Sequence, residues 1–524
     1  MYDYIIIGSG VIGSLIAREL SRYEASILVL EKENDLATHQ TMANSAIIHS
    51  GHDPKPESLK AKLCVEGNRM YHDLKKELDV PLLYTGAFVV AHDDKEENML
   101  QELYVQAKQN GVPDVAIIDQ DQARIMEPKL ASSVTKVLSL PTTMVTFSWE
   151  VALAAMENAL KNGATYQKNA EVTHIQKVDQ GFEITVNHDI VLQAKHVINA
   201  AGVMSDLIAN MIEPDFEVKI TPRRGEYFVI DKKAEGLFKR VIYPLPTEKG
   251  KGVLIVPQVH GNLLLGPTSE LVGERENVMT TREGLAYIKE HLSYLSDQIP
   301  YHQIIRTFAG VRATSTYGDF YIKESKNFPG LYHLAGIDSP GLTAAPAIAK
   351  YLVEHVMHDL PKMKTNFNPI RRRPLSFRES SDKMRLSLIE KNPKYGKIVC
   401  RCEHVSEQEI IDAIHHPVGS DTIKGIKKRT RAGSGLCQGG YCESTVLGLI
   451  AQEKGIPLHK VMYDAKDSPI LVKETKIHEN DWYSDYRSWC CRSICCAIGK
   501  RFQYSYHDDR TWSLIGRYSQ SVHS

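Results

Sequence analysis

The sequence predicts a mixed α/β and α+β chain that ends in a small helical module. Three observations support this prediction. A buried strand, a glycine-rich turn, a helix and a second buried strand follow one another near the start of the chain. Two more strand-and-glycine segments lie near residues 200 and 336, and two close pairs of cysteines lie between residues 400 and 442. At 524 residues the chain has room for about two to four domains.

The first segment has the pattern of a Rossmann-like domain that binds a dinucleotide. Its parts are an apolar strand, three glycines at GxGxxG spacing, a second apolar strand and an acid: Tyr4–Ile7; Gly8, Gly10 and Gly13; Ile27–Leu30; and Glu31. The glycines permit a tight turn, a close approach to a pyrophosphate and close packing of helix on strand. Free N–H groups at the helix start favour phosphates, and Glu31 is suited to accept hydrogen bonds from a ribose.

Two later segments favour a flavin over a nicotinamide cofactor. Val197–Gly202 reads as a strand that ends in a small-residue turn, and Leu334–Pro346 reads as a strand, a glycine-rich turn and a helix start. The N–H groups of that helix start could face the negative edge of a reduced flavin. An ordinary loop-to-helix junction is the alternative for the second segment taken alone.

Residues 1 to about 365 resemble the D-amino-acid-oxidase-like FAD-dependent oxidoreductases, most closely glycerol-3-phosphate dehydrogenases and L-2-hydroxyglutarate oxidases. The stretches that carry the resemblance are Gly8–Gly13, Thr38–Gly51, Arg306–Arg312 and Gly336–Pro346. It implies a split FAD-binding domain, at about 1–85, 145–220 and 300–365, and an inserted antiparallel-sheet substrate domain, at about 86–144 and 221–299. The FAD contacts it implies are Gly8, Gly10, Gly13, Glu31, Thr41, Asn44, Ser45, Val172, Gly202, Gly336, Ser339, Gly341, Leu342 and Thr343.

Oxidation of an alcohol needs a base for the hydroxyl proton, a hydride acceptor and a cation for any anionic group of the substrate. His49 is the candidate base because histidine titrates near neutral pH, although it could instead only hydrogen-bond the flavin or the backbone. Arg312 matches the family arginine that binds a carboxylate or phosphate over the flavin, and its alternative is a surface salt bridge. Arg224 and Thr268 are weaker candidates for the same pocket, and an ordinary strand–turn–strand structure without a substrate contact is the alternative for both.

The predicted substrate is a small anionic secondary alcohol. The first choice is sn-glycerol 3-phosphate, which would yield dihydroxyacetone phosphate, and a 2-hydroxy acid such as L-2-hydroxyglutarate is the alternative. A third reading is an electron-transfer subunit with a structural FAD. Two further side chains are expected to be structural: His52 as a surface histidine and Cys64 as a buried core residue.

The four paired cysteines predict an iron–sulfur site. Cys400 and Cys402 form C-x-C, and Cys437 and Cys442 form C-x4-C. This spacing resembles that of the module of bacterioferritin-associated ferredoxin, which holds a [2Fe–2S] cluster. Zinc sites usually space their ligands C-x2-C or wider, which disfavours zinc, and an unliganded site is the remaining alternative. A cluster here would pass electrons from the flavin to an external acceptor.

The predicted divisions of this region are a linker at 366–395, the cluster domain at 396–450 and an extension at 451–480. Ser406 and Glu409 form a capping-box pattern, which predicts that a helix starts there. Five basic residues are expected to moderate the negative charge of a bound cluster: Lys424, Lys427, Lys428, Arg429 and Arg431.

Residues 481–524 differ abruptly in composition, with three of the four tryptophans and four cysteines. Back-translated and read one nucleotide on, 481–497 can spell a second strand–GxGxxG–helix fingerprint, as in pyridine-nucleotide–disulfide oxidoreductases. We therefore expect a frameshifted tail and a flavoprotein partner of that kind; a metal-binding or disordered tail is the alternative.

The bulk composition limits the remaining function classes. A net charge of −1 gives no case for nucleic acid as a main partner, and no apolar run of about 18 residues predicts a membrane-spanning helix. The residues after Met1 form a strand pattern, not a secretory signal. We expect a cytoplasmic protein, with a peripheral membrane or quinone link left open, whose cysteines serve metal or redox chemistry.

Overall fold

Two large β-sheets dominate the computed structural model, which describes residues 1–246 and 252–472. The predicted tail at 481–524 lies outside the described residues. The strands are β1 (Tyr2–Ile7), β2 (Ile27–Leu30), β3 (Ile47–Ile48), β4 (Leu82–Leu83), β5 (Ala87–Ala91), β6 (Ala116–Asp119), β7 (Lys136–Leu140), β8 (Met144–Thr146), β9 (Thr165–Gln167), β10 (Val172–Val178), β11 (Gly181–Val186), β12 (Ile190–Asn199), β13 (Arg223–Ile230), β14 (Val241–Tyr243), β15 (Leu254–Pro257), β16 (Leu263–Gly266), β17 (Glu270–Leu271), β18 (Ile304–Arg312), β19 (Tyr321–Glu324), β20 (Leu331–Ala335), β21 (Ile398–Cys400) and β22 (Val405–Ser406). The helices are α1 (Val11–Leu20), α2 (Leu59–Leu78), α3 (Asp94–Gln109), α4 (Gln120–Met126), α5 (Ser148–Lys161), α6 (Ser205–Asn210), α7 (Arg282–Leu292), α8 (Gly341–Tyr351), α9 (Asp382–Lys391), α10 (Glu407–His415), α11 (Ile423–Thr430) and α12 (Glu443–Lys454).

The first sheet is built around β1, which pairs in parallel with β2 on one side and with β12 on the other. β12 also pairs in parallel with β20, and the antiparallel β10–β11 hairpin extends it. Tyr4 and Ile6 face the core under α1, α5 and α8, whereas Ile5 and Ile7 face a second core with the hairpin. Because side chains alternate along a strand, burial on both faces requires the unbroken apolar run of β1. The predicted α/β class with a Rossmann-like domain is confirmed.

The second sheet has nine strands and is mainly antiparallel, with the order β17-β13-β16-β15-β14-β5-β7-β6 and β18 paired with β13. Its two faces are also both buried: Ala87 and Val89 face one core, and Phe88 and Val90 face the other. β18 falls within the range 300–365 that the sequence assigns to FAD binding. It nevertheless pairs with β13 along its length and therefore lies in the second sheet.

The C-terminal part contains α9 to α12 and the β21–β22 hairpin. The predicted capping box is confirmed at the start of α10, where Ser406 accepts from the N–H of Glu409 and the Glu409 carboxylate accepts from the N–H of Ser406. The predicted linker is more ordered than a free tether, because it includes α9 and because Arg371 pairs with Glu157 at 2.7 Å. Within the described residues, no helix is both long and apolar enough to cross a membrane.

Candidate functional site

A cavity of about 1130 Å³ opens at the carboxyl ends of β1 and β2 and continues to the face of the second sheet. Ligands of open α/β sheets bind at this edge, because the strand ends and helix N-termini leave a crevice there. Most of the predicted FAD contacts line the cavity: Gly8, Gly10, Glu31, Thr41, Asn44, Ser45, Val172, Gly202, Ser339, Gly341 and Leu342. His49, Arg312 and Thr268 line it as well.

The glycine turn is shaped as a phosphate site requires. Gly8 has φ +104°, and a Cβ there would lie 2.6 Å from the carbonyl oxygen of Ala200. Gly13 does not line the cavity; a Cβ there would overlap the carbonyl of Gly8, so this glycine allows α1 to pack on β1. The N–H of Val11, in the first turn of α1, donates to Thr41 Oγ1 at 2.9 Å. The turn therefore exposes backbone groups and no side chain to the cavity, and this lets a pyrophosphate approach the N–H groups at the start of α1.

Glu31 is buried at the end of β2 with its carboxylate fixed. Its Oε2 accepts from the N–H and the hydroxyl of Ser9 at 2.9 and 2.7 Å, and its Oε1 accepts from the N–H of Glu33 at 3.0 Å. Each carboxylate oxygen has two lone pairs, so capacity remains for a ribose hydroxyl in the cavity. The residues present thus fit a dinucleotide at both its phosphate and its ribose.

Several predicted flavin contacts also shape the loop that follows β2. The Asn44 amide donates to the carbonyls of Gln40 and Thr41 at 2.9 and 2.8 Å. Thr343 does not line the cavity; its hydroxyl accepts from the N–H of His49 at 2.8 Å. Gly336 is also off the cavity wall, packed against Ser315.

His49 lies at the cavity wall with a fixed backbone and a tyrosine behind its ring. Its Nδ1 is 3.1 Å from Tyr243 Oη, and its carbonyl accepts from Asn68 at 3.0 Å. Burial, with the charge of Asp53 as a second cause, raises the pKa of Tyr243 well above its ordinary value, so the phenol stays protonated. Sequence reasoning missed Tyr243 because it lies 194 residues from His49 along the chain.

The two predictions for nearby structural residues have different outcomes. Cys64 is fully buried on α2, so its core role is confirmed. His52 is 3% exposed, so the prediction of a surface histidine is wrong. Its ring meets the Tyr243 ring edge-on at 5.7 Å, and this packing beneath the second sheet explains the burial.

Arg312 ends β18 and has a second arginine beside it. In the β13–β18 ladder Arg223 stands directly opposite Arg312, and both side chains line the cavity. Arg312 Nη2 donates to the carbonyl of Thr268 at 3.1 Å, and among the described residues no carboxylate pairs with either arginine. Like charges directly opposite one another destabilise a sheet, so this pair favours an anion in the cavity.

Gly225 makes room for this arrangement. A Cβ at position 225 would lie 2.5 Å from Arg312 Nη2, so only glycine lets the guanidinium lie against β13. Arg224 points elsewhere: it pairs with Glu226 at 3.2 Å and Glu270 at 2.7 Å and does not line the cavity. The expectation that Arg224 reaches the pocket is therefore wrong, because alternate residues of a strand face opposite sides.

The four predicted cysteine ligands come together in the C-terminal module. The Cys400 and Cys402 sulfur atoms are 3.9 Å apart, and those of Cys402 and Cys437 are 4.0 Å apart. Cys442 hydrogen-bonds Cys400, which is the largest cause that lowers the pKa of Cys400 to about 5 and raises that of Cys442. A thiol with so low a pKa is largely thiolate at neutral pH, the form that binds iron.

The spacing of these sulfur atoms argues against a single zinc ion. Tetrahedral zinc with bonds of about 2.3 Å places every sulfur pair about 3.8 Å apart. In the described part of the chain, no three of the cysteine sulfur atoms lie within 4.8 Å of one another. This wider spacing suits a cluster with two metal ions better than a single ion.

The basic residues near the cysteines are mostly engaged by carboxylates. Lys428 and Arg429 both pair with Asp35 at 2.7 Å, Lys424 pairs with Asp464, and Arg431 pairs with Glu403 at 3.0 Å. Four of the five therefore contact a carboxylate, although Lys428 and Arg429 share one, so the effect of these cations on a cluster is smaller than five full charges. Lys428 and Arg429 instead bind the cysteine module to the loop that lines the FAD cavity.

The dinucleotide cavity and the four clustered thiols together define a class, a flavoprotein oxidoreductase that carries an iron–sulfur module. Residues 3–355 match the family model described as FAD dependent oxidoreductase (DAO), and residues 398–452 match that of the BFD-like [2Fe-2S] binding domain. The chain belongs to the DAO family of FAD-dependent oxidoreductases. The predicted family, enzyme class and both cofactors are confirmed.

Individual proteins extend the match. The chain is 42% identical to the glycerol 3-phosphate dehydrogenase of Caloramator mitchellensis over 478 residues, which cover 91% of this chain and 99% of that protein. It is 33% identical to human mitochondrial L-2-hydroxyglutarate dehydrogenase over 290 residues, 52% of this chain and 62% of that protein. The dithionite-reduced L-α-glycerophosphate oxidase of Mycoplasma pneumoniae with FAD bound has a TM-score of 0.68 and 28% identity, covering 71% of this chain and 99% of that one.

Proposed function

We propose that this chain oxidises sn-glycerol 3-phosphate to dihydroxyacetone phosphate and passes the electrons on through its [2Fe–2S] module. The observation that carries the choice of substrate is the cross-strand pair Arg223 and Arg312. Two guanidinium groups from directly opposite positions on neighbouring strands, both lining one cavity, suit one phosphate dianion. L-2-hydroxyglutarate instead carries its two carboxylates at opposite ends of a five-carbon chain.

The chain's own residues supply binding and proton transfer in this reaction. Arg223 and Arg312 hold the phosphate and place the C2 hydroxyl towards His49. When His49 Nδ1–H donates to Tyr243 Oη, the neutral ring carries its unprotonated nitrogen at Nε2, the atom that would take the hydroxyl proton. FAD bound in the cavity supplies the acceptor for the hydride that leaves C2. The C2–H bond and the O–H bond break, and the carbonyl forms.

The cysteine module provides the exit for electrons. Cys400, Cys402, Cys437 and Cys442 would hold the cluster, whose chemistry is to accept electrons one at a time. Cys400 and Cys442 are buried, whereas Cys437 is exposed. At least one ligand of the site thus lies at the surface of the module, where an external acceptor can approach.

Anaerobic reduction of the FAD- and cluster-loaded enzyme tests the proposal. Addition of sn-glycerol 3-phosphate should bleach the flavin absorbance faster than addition of L-2-hydroxyglutarate or glycerol. Arg312→Ala should lower kcat/KM for the phosphate on the order of 100-fold, because charged hydrogen bonds are lost, and should leave FAD bound. Arg282→Ala, on the exposed start of α7, is the matched control.

The other outcomes of this experiment have clear meanings. Faster bleaching by L-2-hydroxyglutarate would indicate that the substrate is a 2-hydroxy acid and not sn-glycerol 3-phosphate. The 2-hydroxy acid is the second candidate, favoured by the similarity to the human enzyme. No bleaching by any anionic alcohol would instead favour an electron-transfer subunit whose FAD is structural. An unchanged kcat/KM in Arg312→Ala would refute the role of the arginine pair.

We also infer that the acceptor is a flavoprotein related to the pyridine-nucleotide–disulfide oxidoreductases. Leu436 and Tyr441 are 57% and 56% exposed beside the exposed Cys437, a surface suited to a protein partner. Nucleotide sequencing across the codons for 476–485 tests the shifted frame that suggests this partner. Reoxidation of the reduced enzyme by quinone-containing vesicles, and not by such a flavoprotein, would favour a membrane link.

A further inference from the structure

A second cavity, of about 850 Å³, lies between the FAD cavity and the cysteine module. The loop 38–44 and the end of β18 form walls of both cavities. Ser434 and Gln438, which flank Cys437, line the opposite side. The volume lies within the range of sites that hold a small organic ligand, about 300–1000 Å³. Neither the proposed substrate nor the cluster ligands account for this cavity.

The basic side chains that line the cavity differ in whether a carboxylate pairs with them. Five of its basic side chains have an acidic partner, as pairs Lys32–Glu276, Arg275–Asp206, Lys424–Asp464, Lys428–Asp35 and Arg431–Glu403. Arg306 and Lys427 are half-buried in the cavity wall, and in the part of the chain that the structure describes neither pairs with a carboxylate. The other unpaired charges of the lining, on Lys466, Glu171 and Asp467, are exposed. Lys427 Nζ donates to the neutral side-chain amide oxygen of Gln438 at 3.2 Å.

The charges of Arg306 and Lys427 repel one another and the other positive charges nearby. The pKa of Lys427 is lowered to about 8, first by burial and then by the charges of Arg306 and Arg431, which outweigh the opposing charge of Glu443. Placing like charges together in a partly buried site costs stability unless an anion occupies it. The ring side chains of Phe147, Trp149 and Phe308 form an apolar part of the same wall.

We propose that the second cavity is a binding site for a phosphate-bearing small molecule, held by Arg306 and Lys427. A phosphate group offers the negative charge and the acceptor oxygens that an arginine fork and an ammonium recognise. Two sources share this chemistry. A small phosphate would use the two cations alone, whereas a mononucleotide would also place its base against the aromatic wall.

Calorimetric titration of the FAD- and cluster-loaded enzyme tests the site. We use an Arg312→Ala background to silence the phosphate site of the substrate cavity, with inorganic phosphate and adenosine monophosphate as separate probes. Arg306→Ala and Lys427→Ala should each weaken binding by about tenfold or more. Lys383→Ala, exposed on α9 and outside the cavity, should bind as the background does. Tighter binding of the nucleotide than of phosphate would identify the aromatic wall as part of the site.

Thermal unfolding gives an independent readout. Without ligand, Lys427→Ala should raise the melting temperature, because one of the repelling charges is removed, whereas a merely structural lysine would lower it. With phosphate, the same variant should gain less stability than the background does. Absence of binding by both probes at millimolar concentration, or binding that neither substitution weakens, would overturn the proposal.

Discussion

The substitution Asp35→Asn should detach the cysteine module from the FAD-binding part. Asp35 is 3% exposed and lies in the loop after β2. Its Oδ1 and Oδ2 accept from Arg429 at 2.7 and 2.9 Å, and Lys428 Nζ lies 2.7 Å from Oδ2. Asparagine keeps the shape but removes the charge, so two buried cations would lose their counter-ion.

The expected loss of unfolding free energy in Asp35→Asn follows from the burial of Asp35 and its two cationic partners. Removing one partner of a buried ion pair costs about 3–5 kcal/mol, because an uncompensated charge remains inside. Lys168 and Asp421 join the same two parts at 2.9 Å, but their side chains are 32% and 41% exposed. Asp421→Asn should therefore cost only about 0–1 kcal/mol and serves as the matched control.

The pH dependence of the Asp35 contact has a defined sign. Arg429 and Lys428 hold the pKa of the Asp35 carboxyl below its usual range, and they outweigh the burial that would raise it. The contribution to stability is therefore fully present above about pH 4 and declines as the pH falls below it. In Asp35→Asn this acid-dependent loss should be absent.

Urea unfolding followed by flavin fluorescence measures the free energy of unfolding in the two variants. Stopped-flow absorbance after addition of substrate measures the rate at which the reduced flavin passes electrons to the cluster. In Asp35→Asn the flavin should bleach at nearly the normal rate, whereas cluster reduction should slow markedly. Equal costs for Asp35→Asn and Asp421→Asn, or unchanged cluster reduction in both, would refute the reasoning.

Three further predictions concern the active site and its rim. Tyr243→Phe removes the hydrogen bond to His49 and should lower kcat about tenfold with little change in KM, and steady-state kinetics across pH should show a shifted basic limb. Gly225→Ala places a Cβ 2.5 Å from Arg312 Nη2 and should raise KM for the anionic substrate about tenfold without loss of FAD, measured by flavin content and initial rates. The pKa of Glu33 is lowered from 4.5 to about 2, chiefly by a hydrogen bond from His39. The contribution of Glu33 to the free energy of unfolding should therefore decline as the pH falls from 4.5 towards 2. Glu33→Gln should flatten that part of the acid unfolding curve.

The features that the sequence predicted well are those coded by neighbouring residues. The apolar run of β1 and the glycine turn after it define their own geometry within a few residues. The capping box at Ser406 and the cysteine pairs are likewise short-range patterns. In each, the physical requirement and the residues that meet it lie within one turn or one strand.

The features that the sequence left undetermined depend on pairing between distant segments. Arg223 and Arg312 become neighbours only through the register of β13 on β18, and a slip of one residue would have placed Arg224 in the cavity instead. Tyr243 meets His49 only because β14 joins the second sheet beside β5. No local pattern in the sequence specifies either contact.

The loop between β2 and β3 explains how two cofactor sites are held in one geometry. One side of this loop forms the FAD cavity, where Thr41 accepts from the first turn of α1 and Asn44 ties the loop to its own carbonyls. From the same loop Asp35 binds two side chains of the cysteine module. Since one short segment contacts both sites, the flavin site keeps its shape without the Asp35 contact only if the hydrogen bonds of Thr41 and Asn44 hold the loop by themselves. A defect confined to cluster reduction in Asp35→Asn would mean that Thr41 and Asn44 fix the flavin side of the loop independently of the module.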